Sequence, residues 1–242
     1  MSHAQRDMIE QLLSQLARWD DGVISEVIIT HNVPEDGMSM ARQKCAFAVT
    51  EIHNPRRMGF GANHNQAFRH CRSSHFCVLN PDIELMGPGV WDALLEASAQ
   101  NPDSCVYPPL MNTDGSRQDS EREVPTPSSL WRRHALRRQE TRVDWVSAAF
   151  WLLPSDLFRR MGGFDEGYYM YCEDADFCLR LQLAGGHLAK AGPPVVHDAA
   201  RSSRRLPQRF VWHVNSLLRL WRQPVLSDYL RLLGATPETQ RG

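Results

Sequence analysis

Six apolar positions, Met8, Ile9, Leu12, Leu13, Leu16 and Trp19, recur at helical spacing and predict a helix over residues 4–19, stopped by DDG. EVIIT (26–30) is a short β-branched run and reads as a buried strand emptying into the loop HNVPEDG. FAVTEI (47–52) predicts a second strand, and NPRRMGFGANHNQAFRHC passes from glycines and asparagines into a helix from about Asn63. FCVLN (76–80) reads as a third buried strand, ended by Pro81, with VWDALLEASAQN (90–101) as the helix beyond it.

Short apolar strands alternating with amphipathic helices predict an α/β fold with a mostly parallel sheet flanked by helices. Ligands of such sheets bind beyond the carboxyl ends of the strands, which directs attention to the residues after Thr30, Ile52 and Leu79. Residues 112–143, from NTDG through PTPSS to WRRHALRRQETR, show no clear period and predict a mobile surface excursion, either a lid or an insertion. VDWVSAAFWLLP then resumes a buried pattern, GGFDEGYYMY is a loop, and EDADFCLRLQLAGG is a helix stopped by Gly185 and Gly186. HLAKAG and PPVVHDAARSS follow, the second a strand leading to His197, and the tail from Leu206 to Leu233 is helical.

Composition narrows this picture. The 242 residues are 42% hydrophobic and can bury a sizeable core, while the net charge of -1 conceals an imbalance. Eight arginines lie between Arg201 and Arg241 against only Asp228 and Glu238, a segment suited either to anionic partners or to a solvated helix face. Six cysteines without a C-x-x-C pair, and no leader-like start, imply reduced thiols in a cytoplasmic protein. The longest apolar runs, such as VSAAFWLL, fall far short of the roughly 20 residues that cross a bilayer, so any membrane contact is expected to be peripheral.

Four clusters carry candidate chemistry. Asp82 in VLNPDIEL stands just past a strand, where a carboxylate suits Mg²⁺ or Mn²⁺ shared with substrate phosphates, or equally the capping of a helix. Gly59 and Gly61 with Asn63 and Asn65 precede a helix and allow backbone N–H groups to approach a phosphate, though a plain strand-to-helix turn has the same composition. In GGFDEGYYMYCEDADFCLR, Glu173 and Asp174 begin a helix, where the dipole favours negative charge. The tyrosines before them would exclude water and raise a carboxylate's basicity, as a general base requires. His197 at a strand end is structural unless a carboxylate such as Asp82 partners it.

Taken in order, NPRRMGFGANHN, VLNPDIEL, VDWVSAAFWLLP, GGFDEGYYMYCEDADFCLR and VVHDAARSS resemble the family 2 glycosyltransferases of the Rossmann-like GT-A fold, most closely the bacterial rhamnosyltransferase-like members. The resemblance runs from about residue 8 to 222. It implies a GT-A-like domain over 1–205, with a nucleotide half to about residue 100 and an acceptor half from 101, followed by a basic helical tail over 206–242. It further implies inverting transfer from a nucleotide-sugar donor such as dTDP-rhamnose to a lipid-linked or polysaccharide acceptor, with nucleic acid not among the partners. By resemblance Asp82 holds a divalent metal with His197 as a further contact, and Asp174 is the general base. Trp145, Tyr171 and Glu173 shape the acceptor side; Arg57, Gly59, Asn63 and Asn80 lie near the nucleotide. The basic tail would help hold the enzyme peripherally at an anionic inner membrane.

Three departures accompany the resemblance. His31 in ITHN stands where the family has an aspartate for the nucleobase, and Ala148 replaces a glycine beside the donor sugar. The family's first strand, central in the sheet, has no counterpart before the helix at 4–19, which predicts an open apolar groove and weakened donor binding. That departure keeps a second expectation alive, a GT-A-like module with a binding or assembly role.

Overall fold

The computed structural model describes residues 1–20, 22–35, 45–136, 140, 142–198 and 206–235. Parts of HNVPEDG, of the excursion and of VVHDAARSS, together with Arg201, Arg204, Arg205 and Arg241, lie outside the described residues.

Helix α1 (Arg6–Trp19) buries Ile9, Leu12, Leu13 and Leu16, the stripe its spacing predicts. It packs near the parallel strands β1 (Glu26–His31) and β2 (Ala48–His53). Helix α2 (Phe60–Phe68) begins three residues before the expected Asn63. Gly59 is extended there, and the Asn63 side chain ties the first turn by donating to the Gly59 carbonyl at 2.8 Å. Strand β3 (His75–Leu79), the short β4 (Ile83–Glu84), helix α3 (Val90–Gln100) and β5 (Ser104–Tyr107) follow, then the short β6 (Leu110–Met111).

The excursion is partly ordered, with β7 (Glu121–Arg122) and helix α4 (Pro127–His134). PTPSS, inside the expected surface excursion, is a helix start: Thr126 Oγ1 accepts from the Ser129 N–H at 3.1 Å, and Pro127 occupies the first turn, where its missing N–H costs nothing. Strands β8 (Trp145–Val146) and β9 (Phe150–Pro154), helices α5 (Ser155–Arg160) and α6 (Glu173–Leu183), and strands β10 (His187–Lys190) and β11 (Val195–His197) complete the α/β body. The tail forms two helices, α7 (Leu206–Arg222) and α8 (Pro224–Ala235), divided at a proline that cannot continue the first.

The expected mostly parallel sheet is corrected. The strands form mixed, separate sheets, of which the largest has the order β10-β5-β9-β3. There β10 runs parallel to β5, whereas β9 is antiparallel to both β3 and β5. The cause is the excursion: the chain leaves β5 at its carboxyl end and re-enters β9 beside Leu79, the carboxyl end of β3, so β9 can only run backwards. A parallel neighbour would need a crossover to the other end.

Strands β1 and β2 stand apart from this sheet. A cavity of about 330 Å³ separates them, lined by Val27 and Ile29 of β1, Phe76 and Cys77 of β3, and Leu12 and Leu16 beneath. Met1 also lines it, and Ser2 forms a parallel bridge to His31.

Candidate active site

The acceptor loop is fixed before its helix begins. Gly59 approaches it so closely that a Cβ would lie 2.7 Å from the carbonyl oxygens of both Tyr168 and Tyr169. Phe60 N–H donates to Tyr169 O at 2.9 Å, and Asn65 clamps Phe164 through both its amide groups, at 2.8 and 2.9 Å. Gly59 therefore joins the nucleotide half to the acceptor loop. Arg180, paired with buried Asp176 at 2.7 Å, also donates to the carbonyls of Met161 and Gly163, so this pair is an internal brace.

Tyr171 and Cys172 then adopt φ of 73° and 65°, the left-handed region that non-glycine residues rarely enter. Such strain costs of order 1–3 kcal/mol per residue and persists only where surrounding contacts impose it. Its effect is to turn the chain sharply into α6 with Glu173 and Asp174 in the first turn. Glu173 is buried and its Oε2 has no hydrogen-bond partner. Burial first, and the Asp174 charge second, push its carboxyl well above the usual range. Asp174, half-buried, is raised as well, chiefly by burial, opposed by N–H groups of Ala175 and Ala148 and by the Arg122 guanidinium. Arg122 also lies over the Trp145 ring, 5.6 Å from its centroid, and Trp145 Nε1–H donates to Glu123 O. The Tyr171 ring meets His213 of α7 edge-on at 5.3 Å.

The second acidic position, Asp82, stands in the turn after β3. Asn80 N–H donates to Ala149 O at 2.9 Å, and the Ala148 N–H is among the groups that oppose the rise of the Asp174 carboxyl, so residues 148–149 lie between the base candidate and the turn that carries Asp82. Asp82 and His197, both nearly buried, face each other with Oδ1 and Nε2 3.3 Å apart. Gln118 decides what that contact means. Its Nε2 donates to Asn112 Oδ1 and His197 O, so its Oε1 is the acceptor 2.7 Å from His197 Nδ1, which must carry the proton. With the ring neutral, His197 Nε2 turns a lone pair on Asp82 Oδ1, which itself has no hydrogen bond. Two unpartnered acceptors facing each other fit a bound cation, and an orienting amide behind a ligand histidine is the usual support for one.

The nucleotide-side residues are arranged differently from one another. Arg57 is exposed, and Asn80 is half-buried at the end of β3. Asn63 is fully buried: its Oδ1 accepts from Asn54 at 2.8 Å while its Nδ2 holds the Gly59 and Met58 carbonyls. It builds the loop from within. Asn32, which the sequence did not single out, binds Met58 through both N–H and C=O, at 2.7 and 2.9 Å. His31 is completely buried between Glu35 and Glu51, at 3.0 and 2.9 Å, and stacks on His53 with 5° between the planes. His31, Glu51 and His53 group closely enough to suggest a metal site, but ring nitrogens bind in the ring plane, and one ion cannot lie in both of two stacked planes. Sequence reasoning also missed Gln118 and Arg122, both in the aperiodic excursion, where no local signal marks them.

An α/β body with one candidate carboxylate just past β3 and two more opening α6 can serve transfer from a phosphate-bearing donor. Residues 2–162 match the Glycosyl transferase family 2, and the chain belongs to that family of glycosyltransferases. It is 29% identical to the rhamnosyltransferase WbbL of Escherichia coli K12 over 94% of this chain and 93% of that protein. It is 35% identical to the N-acetylglucosaminyl-diphospho-decaprenol L-rhamnosyltransferase of Mycobacterium tuberculosis H37Rv, over 54% of this chain and 48% of the relative. The fold is similar to that of the mannosyltransferase PcManGT from Pyrobaculum calidifontis, solved with GDP-Man and Mn²⁺, with a TM-score of 0.58 and 16% identity over 99% of this chain and 75% of that one. Among the described residues no helix is long and apolar enough to cross a membrane.

Proposed function

We propose that this chain is an inverting glycosyltransferase that moves a sugar, rhamnose by analogy with its relatives, from a nucleoside-diphosphate donor to a lipid-linked acceptor in cell-surface glycan synthesis. The observation that carries the reading is the pair of desolvated carboxylates, Glu173 and Asp174, opening α6, with Asp82 and His197 facing each other past the end of β3.

In this reading Asp174 accepts the proton of the acceptor hydroxyl as its oxygen attacks the anomeric carbon, and the donor's phosphate leaves from the opposite face. Burial raises its basicity toward neutrality, which suits proton abstraction, and Arg122 keeps the anion accessible. Glu173, poorly solvated, holds a proton to higher pH and can bond an acceptor hydroxyl through Oε2. Trp145 and Tyr171 offer aromatic surface to the acceptor. Asp82 and His197 would hold a divalent ion, Mg²⁺ or Mn²⁺, and such an ion supplies charge neutralisation to the departing diphosphate. Arg57 and Asn80 would lie beside the nucleotide.

The test is transfer of radiolabelled rhamnose from dTDP-rhamnose, with Mn²⁺, to a polyprenyl-diphosphate-linked N-acetylglucosamine, with the anomeric configuration of the product determined. Retained configuration, or full activity in Asp174→Asn, would refute the mechanism.

The cavity between β1 and β3 favours a second reading, a GT-A-like module whose nucleotide half is too open to bind donor. Ser2 already pairs in parallel with β1 beside this cavity, and an extended apolar segment continuing that pairing would join the two sheets. Titration with UDP and dTDP, with and without Mn²⁺, separates the readings. Absence of binding, unrelieved by an apolar N-terminal extension, supports the module.

A further inference from the structure

Helix α7 has two faces with different duties. Its inner face holds the acceptor loop: Trp212 packs on Tyr169 with centroids 4.8 Å apart, Ser216 Oγ donates to Met170 O, Arg219 pairs with Asp165, and Leu220 is fully buried. Its outer face is apolar where a surface helix is normally polar. Phe210, Val211, Leu218 and Trp221 are 69%, 53%, 37% and 36% exposed. At about 100° per residue these four fall within one arc of about 100°, a coherent stripe along the helix. Trp221 Nε1–H is anchored on Pro125 O, just before α4, where Trp131 is exposed as well. Exposed Arg222 borders the stripe, in a segment carrying eight arginines against two acids.

We propose that this stripe seats the enzyme on an anionic lipid bilayer, with α7 lying in the interface plane and its apolar arc among the upper acyl chains. Tryptophans with flanking arginines are the side chains that settle at that boundary. The proposal rests on the lipid-linked acceptor inferred above and deepens it. With the outer face of α7 on the membrane, the acceptor loop on its inner face stands about one helix diameter, roughly 10 Å, above the surface. A sugar on a membrane-anchored diphosphate is likewise held next to the bilayer surface. The attachment differs from a purely electrostatic tail, because Arg219 and Arg231 are engaged with Asp165 and Asp228.

The experiment compares the full chain with the double variant Val211→Asp/Leu218→Asp in flotation with vesicles of phosphatidylglycerol and phosphatidylcholine, at 0.1 M and 1 M salt. Both residues are exposed and outside the site. The wild type is expected to bind, to keep a substantial bound fraction at high salt, and to lose at least tenfold in partitioning in the variant. Transfer to a water-soluble acceptor analogue should be unchanged. Equal binding by the variant would overturn the proposal, as would binding of the wild type abolished by salt, which would assign it to arginines alone. A wild type that ignores vesicles but forms dimers dispersed by the double substitution would assign the stripe to self-association and overturn it too. Vesicle binding without sugar transfer to any acceptor would instead count against the proposed reaction and leave the membrane face standing.

Discussion

Replacing Glu173 by glutamine should make the protein more stable as pH rises, relative to wild type. Glu173 is 4% exposed and its Oε2 lacks any hydrogen-bond partner. Burial, then the neighbouring Asp174, raises its carboxyl above the ordinary 4.5. For an acid whose folded value exceeds its unfolded value, the folded state binds more protons through the interval between them, so stability falls as pH rises above 4.5. Each pH unit inside that interval costs at most about 1.4 kcal/mol, hence up to about 2.7 kcal/mol between pH 5 and pH 7. Glutamine keeps the shape without the titration. Its own unsatisfied amide imposes a penalty of about 1–3 kcal/mol, but one that does not vary with pH. The diagnostic is therefore the pH dependence of the difference, equivalent to a relative gain of about 5–10 °C in Tm for a chain of this size. Denaturation of both proteins by urea at pH 5, 6 and 7 measures it. Stability curves that run parallel across this range would show that Glu173 does not carry a raised titration in the folded state, and the argument for a desolvated acceptor carboxylate would fail.

Asp174→Asn should lower kcat by about 10²–10⁴-fold with nucleotide binding retained, and the acid limb of the wild-type kcat profile should lie above the 3.8 of an ordinary aspartate, because burial raises this group. Gln118→Leu releases the tautomer of His197 and should weaken Mn²⁺ affinity about 10–100-fold in calorimetric titration; unchanged affinity would dissociate that pair from the metal. Gly59→Ala places a methyl 2.7 Å from two backbone carbonyls that cannot rotate away, and should cost about 1–3 kcal/mol in urea denaturation while raising acceptor KM.

Much of this protein is legible one segment at a time. The apolar stripe of α1, the β-branched runs of β1 and β3, and the acidic start of α6 are local signals, because helix and strand periodicity and helix-end electrostatics depend on neighbours within a few residues. The ordered set of motifs that marks family 2 is likewise a property of the string. The direction of β9 was not, since it depends on which end of β5 the excursion leaves and rejoins. Nor were Gln118 and Arg122, whose importance comes from meeting His197, 79 residues away, and Asp174 across space. Gly59 and Asn63 looked like phosphate-loop chemistry in sequence, yet packing places a backbone against one and engages the amide of the other. The sequence determined which side chains the protein owns and which elements they form. Only the tertiary structure decided which carboxylates lose their water and which acceptors are left facing each other, because desolvation and unpaired lone pairs exist only between segments that folding brings together.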